Sequence, residues 1–209
     1  MSKKTKIIIA CICIVAVIAI AGITAYFTDI ATVTNHTKMG IVDIELKEYT
    51  LDEDGNKIDW QNKENVLPGE IISKIPEISC VEGSADCYVR AKVLINAKDE
   101  NLAQDEKMLT LDNLNVDTNK WMYNSQDGYF YYKEILTDKS GSITMFTQVD
   151  IPSEWDNKWS LEEISIDITA EAIQARNFTP DFSNNSTNPW PGITQDDIQE
   201  CIYPSHVKE

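Results

Sequence analysis

Ile41-Val42-Asp43-Ile44-Glu45-Leu46-Lys47 decides how this chain is read, because apolar and charged residues alternate there with a period of two. In an extended strand successive side chains leave opposite faces, so Val42, Ile44 and Leu46 share one face and Ile41, Asp43, Glu45 and Lys47 the other. A helix would need apolar residues three and four apart.

Outward from this stretch the same signature recurs. Pro68-Gly69 makes a turn before a strand over 70–79, and Gly83-Ser84 turns the chain into a strand over 87–95. Runs over 129–136, 143–151 and 164–175 are rich in β-branched and aromatic residues, and Asp138-Lys139-Ser140-Gly141 turns the chain between the first two. Asp54-Gly55, between Tyr49-Thr50-Leu51 and Lys57-Ile58, reads as a hairpin turn. Roughly seven or eight strands joined by turns predict an all-β protein, an antiparallel β-sandwich with short helices. One short helix is expected within 101–115, where Leu102, Met108, Leu109 and Leu111 break the alternation. From Asn177 onward Asn, Ser, Thr and Pro dominate, and Pro180, Pro189 and Pro191 bar long elements. Residues 177–209 therefore read as a peripheral tail, with a short helix over 194–201 capped by Thr194 ahead of Asp196 and Asp197.

The front of the chain reads as an address. Lys3, Lys4 and Lys6 precede an apolar run over 7–25 broken only by Gly22 and Thr24, the order of an export signal. The run is also long enough to cross a bilayer of about 30 Å, so residues 1–25 are either a signal peptide cut between Ala25 and Tyr26 or an uncleaved membrane helix. Membrane contact is expected only through 7–25, if that run stays uncleaved, and the sandwich domain spans 26–176. The chain carries 34 acidic against 18 basic residues, and three of the lysines fall in the address. The rest thus repels phosphate backbones and is not expected to bind nucleic acid.

Nothing in the sequence assembles a catalytic site, and no cofactor is expected. The two histidines, His36 and His206, stand at opposite ends with no His-Glu-x-x-His helix between them, so the zinc-peptidase pattern is missing. Asp52-Glu53-Asp54-Gly55-Asn56-Lys57-Ile58-Asp59 has the look of a calcium loop, but Thr50 stands at its first ligand position and Gln61 where the bidentate glutamate belongs. A hairpin explains those residues more simply, and no metal is expected. Cys11 and Cys13 lie in the address, which leaves Cys80, Cys87 and Cys201. Cys80 and Cys87 flank Val81-Glu82-Gly83-Ser84-Ala85-Asp86; a hairpin there sets them across from one another for a disulfide, and two separate buried thiols are the alternative. Trp60, Trp121, Trp155, Trp159, Trp190 and Tyr129-Phe130-Tyr131-Tyr132 read as core and cross-strand residues ahead of a carbohydrate platform.

Ala25-Tyr26-Phe27-Thr28-Asp29, which closes the apolar run, resembles the signal motif of exported proteins cut by the SipW type of signal peptidase, the group of TasA, CalY and camelysin. Further matches follow in order: Thr34-Asn35 with Gly40-Ile41-Val42-Asp43-Ile44-Glu45-Leu46, Leu67-Pro68-Gly69-Glu70 with Lys74, Tyr88-Val89-Arg90, Tyr131-Tyr132 with Gly141 and Phe146, and Ala170-Glu171-Ala172-Ile173-Gln174-Ala175. The resemblance implies a jelly-roll core and a secreted structural protein of the Gram-positive cell surface that builds biofilm-matrix fibres. Its partners would be the signal peptidase and then itself, or a related matrix protein. It also implies that residues 26–38 act as a strand donated to the next subunit. Tyr26, Phe27, Ile30 and Val33, with Thr28, Thr32 and Thr34, make that segment extended and modestly apolar, without Gly or Pro. The other readings are a monomeric cell-surface adhesin or accessory binding module and, because camelysin-like relatives have been classed so, a metal-dependent peptidase.

Overall fold

The opening alternation becomes strand β1 (Ile44–Leu51), whose Ile44 and Leu46 are buried while Glu45 and Lys47 face water. Further along the same face the buried residues change to Glu48 and Thr50. The structure, a computed structural model, describes residues 41–159, 163–183 and 186–202. The segments read as address and donor strand therefore lie outside the described residues.

One sheet holds four strands in the order β2 (Lys57–Asp59), β1, β4 (Ile75–Cys80) and β8 (Ile143–Thr144). The Asp54-Gly55 turn joins β1 to β2: the Asp52 carbonyl accepts the Gly55 N–H, and Gly55 takes a φ of 81°, where a Cβ would be strained. A second sheet has the order β11 (Gln199–Ile202), β10 (Ile164–Gln174), β5 (Cys87–Ala97), β7 (Tyr129–Tyr132) and β6 (Trp121–Asn124). A small pair, β3 (Ile71–Ser73) with β9 (Gln148–Asp150), continues the β4–β8 pair past a break. Every named pairing is antiparallel.

The two larger sheets share one core. Ile44, Leu46, Ile78 and Ile143 of the first sheet belong to the same buried cluster as Cys87, Val89, Ala91, Val93, Ile168, Ala170 and Ala172 of the second. Trp121 ties the layers directly, its indole N–H donating to the Thr144 carbonyl at 3.0 Å. The all-β sandwich expected from the alternation is thus the observed architecture. The strands expected over 70–79 and 143–151 are each split in two, because Lys74 and residues 145–147 interrupt the ladder. Among the described residues helix is confined to α1 (Glu100–Ala103), capped by Asp99, and two single 3-10 turns at Leu111–Asn113 and Gln195–Asp197.

The C-terminal segment corrects the expectation of a peripheral tail. Tyr131, Ile173 and Trp190 form a second buried cluster, joined by Tyr88, Met122, Tyr129, Phe178, Phe182, Ile193 and Ile198. Phe178, Phe182, Trp190, Ile193 and Ile198 therefore cover the outer face of the five-stranded sheet. The helix expected over 194–201 is a 3-10 turn followed by β11. Thr194 does cap it, with its N–H and hydroxyl both donating to the Asp197 carboxylate, but β10 offers Gln199–Ile202 a ladder that an isolated short helix cannot match.

Candidate functional site

The best-defined unfilled feature is the edge of β1. β4 occupies one side of it from Ile44 to Tyr49, whereas β2 reaches the other side only at Tyr49–Leu51. Among the described residues no strand pairs with Ile44–Lys47 on that second side. The Leu46 N–H rests instead against the Cys201 thiol of β11, a weak acceptor. Burial raises the Cys201 thiol above its usual range, in spite of that contact. Next to this edge lies a groove of about 440 Å³ lined by Ile41, Val42, Ile173, Phe178, Ile193 and Ile198, with Arg176, Asp196 and Asp197 among its polar walls. Ile41, 72% exposed, stands where the chain enters the domain.

The loop between β4 and β5 holds that entrance. Val81 and Ala85 donate their N–H groups to the Asp43 and Ile41 carbonyls, each at 3.0 Å, and the Asp43 N–H donates to the Ser84 hydroxyl at 3.0 Å. The loop is not the hairpin expected from the sequence, since β4 and β5 belong to different sheets. It nevertheless brings the two cysteines at its ends together, with their sulfurs unbonded and 3.5 Å apart. Cys87 is fully buried, and burial together with the Cys80 neighbour pushes its thiol up.

On the outer face of the second sheet Arg90 occupies a filled polar network. Its guanidinium donates to the Glu171 carboxylate at 2.7 Å and to the Tyr131 hydroxyl at 3.1 Å, and lies 4.1 Å from the Tyr129 ring centre and 4.7 Å from that of Trp190. Burial alone would lower the Arg90 pKa, but the Tyr131 and Glu171 partners reverse the direction. Tyr129 donates to Glu171 at 2.9 Å, and burial followed by that bond pushes its phenol up to about 12. Tyr131 donates to Asp127 at 2.7 Å. With Arg90 and both phenols partnered under Trp190, the network fastens the C-terminal segment to the sheet.

The acidic hairpin uses its carboxylate for the turn: one Asp52 oxygen accepts the N–H groups of Asp54 and Asn56 at 3.0 and 2.8 Å. Those bonds hold the Asp52 carboxyl below the usual range. Among the described residues no group of three His, Cys, Asp or Glu side chains is placed to hold a metal ion, and no helix is long and apolar enough to cross a membrane. His36 and His206 lie outside the described residues, as do Ala25, Tyr26, Phe27, Asp29, Ile30 and Val33. Trp121, Trp159 and Trp190 are buried, and Trp155 stacks on Trp159 at 4.7 Å. Comparison with protein-family models, with curated proteins and with solved structures gives no match to this chain.

Proposed function

We propose that the chain is an exported structural protein of the extracellular matrix, with a jelly-roll core, that assembles into fibres when residues 26–38 of one copy add as a strand to the sheet of the next. The observation that carries this reading is the unpaired edge of β1 at Ile44–Lys47 beside a groove of mixed apolar and polar lining. A strand added there gives a ladder to backbone groups of Ile44–Lys47 that have no strand partner on that side, which is the basis of β-augmentation. Thirteen extended residues reach about 43 Å, well beyond the roughly 13 Å of the four-residue edge.

Charge supports the same division of labour. The chain carries a net charge of −16, which opposes side-by-side packing of whole subunits. Residues 26–38 contain one acid, Asp29, and one base, Lys38, so this segment approaches an acidic body without net repulsion. Head-to-tail addition does not close on itself and therefore gives a filament. The reading assigns no catalytic step. Its test compares protein beginning at residue 26 with protein beginning at residue 38, by light scattering and electron microscopy over days. Filaments from the longer protein alone are expected; two stable monomers refute strand donation and favour a monomeric surface-binding module.

A further inference from the structure

We propose that Cys80 and Cys87 are an oxidation site: exchange with a small-molecule or protein disulfide joins them into a bond that ties the two sheets together beneath the entrance of the N-terminal segment. This goes beyond the fibre reading and holds whether or not the chain polymerises. Cys80 ends β4 in the first sheet and Cys87 begins β5 in the second, and their sulfurs already touch at 3.5 Å. Reaching the bonded distance of about 2 Å asks each sulfur to move by less than about 1 Å. Export, which the front of the chain predicts, places the pair where such bonds persist.

The two thiols differ in access, and the difference orders the steps. Cys80 is partly exposed while Cys87 is fully buried. The Cys80 thiolate attacks one sulfur of the oxidant, forms a mixed disulfide and releases one thiol. The Cys87 thiolate then attacks the Cys80 sulfur, closes the bond and expels the second thiol. The protein loses two electrons and two protons, and the oxidant takes them up as two thiols. Cys201 takes no part, since its thiol lies against Leu46 on the far strand β11.

The bond closes a loop with three attachments to the chain entrance and others to Asp138 and to the end of β10. Val81 and Ala85 hold the Asp43 and Ile41 carbonyls, Ser84 holds the Asp43 N–H, and Asp86 accepts from Ala175 at the end of β10. Locking Cys80 to Cys87 therefore restrains Ile41 and Asp43 as well as the loop itself.

The test uses the full chain in a mixture of oxidised and reduced glutathione. Free thiols are then blocked and the protein is cut after Glu82, between the two cysteines. The expected result is that the Cys80 and Cys87 fragments stay joined until a reductant is added, while Cys201 carries the blocking group. Separate fragments with both thiols blocked, or Cys80 left as a glutathione adduct, overturn the proposal. Hydrogen exchange then reads the restraint: the amides of Asp43, Val81 and Ala85 are expected to exchange roughly tenfold more slowly after oxidation. Unchanged rates in a protein shown to carry the bond overturn the claim that it fixes the entrance. A Cys201→Ser chain is expected to behave as the parent in both measurements, and a bond lost with that thiol is equally fatal.

Discussion

Lys74 and Glu48 supply the sharpest test of how this fold is held. Both are buried, at 4% and 6% exposure, and they meet at 2.7 Å with the Lys74 ammonium 4.2 Å from the Trp60 ring centre. Lys74→Met keeps most of the buried stem but leaves the Glu48 carboxylate facing the interior without its cation. Removing one partner of a buried pair costs about 3–5 kcal/mol, because the remaining charge keeps its desolvation penalty and loses its compensation. For a domain of this size that corresponds to a fall in Tm of roughly 6–20 °C. Changing both residues, Lys74→Met with Glu48→Leu, is expected to restore stability to within about 1–2 kcal/mol of the parent, since two apolar groups leave no charge behind.

Denaturant unfolding of the parent, the two single variants and the double variant closes the thermodynamic cycle. Lysine titration adds a signed check. Burial pulls the Lys74 ammonium below its usual range, although Glu48 and Asp167 oppose the shift. The unfolded chain then holds this proton more tightly than the folded one, so this residue makes stability rise with pH between the folded value and the unfolded value of about 10.4. Lys74→Met is expected to lack that increment. A loss below about 1 kcal/mol in Lys74→Met, with a double variant no better than the single, refutes the reasoning.

Two further perturbations probe other parts of the molecule. Trp190→Ala removes a 2%-exposed side chain that covers Arg90 and Tyr131, with an expected loss of about 3–5 kcal/mol and protease cuts appearing first within 177–198; unchanged stability in urea would contradict its role as the anchor of that segment. Burial pushes the Glu77 carboxyl up, but hydrogen bonds from Lys57 and Ser142, the Lys57 charge and the Thr144 hydroxyl outweigh it and hold the group below the usual range. Glu77 thus contributes stability above about pH 4.3 that is lost as pH falls through its folded value, so Glu77→Gln is expected to flatten the acid limb of a stability–pH curve, and an unchanged limb refutes the assignment.

How much the sequence revealed follows from the distance over which each feature is encoded. The alternation over 41–47 and the turn at Asp54-Gly55 are local; the turn stands at those residues, and the alternation becomes ladder from Ile44 onward. The break at Lys74 was hidden because its neighbours Ile72 and Ile75 keep an apolar character while the pairing changes from β9 to β8. β6 is only four residues long, too short to show a period. The C-terminal anchors Phe178, Phe182, Trp190, Ile193 and Ile198 follow neither period, since a segment of turns presents side chains at irregular intervals. Glu48 meets Lys74 across 26 positions and Arg90 meets Glu171 across 81, contacts that only strand register creates. Cys80 and Cys87 lie seven apart, so their approach was legible, but their membership of two different sheets was not.

The entrance of the chain is where these levels meet, and its chemistry is uneven. On the β4 side the loop over 81–86 grips Ile41 and Asp43 through backbone and hydroxyl groups, which are strong partners. On the opposite side the Leu46 N–H has a thiol, and sulfur accepts hydrogen bonds weakly. A carbonyl brought to Leu46 by an added strand replaces a poor acceptor with a good one, while a strand added on the β4 side would have to displace good ones. On the strand-addition proposal this asymmetry selects the side of β1 that receives a neighbour. Cys201→Val, which removes the thiol acceptor and keeps an apolar side chain of comparable size, should then leave the site open and quicken assembly; slower assembly would place the acceptor elsewhere.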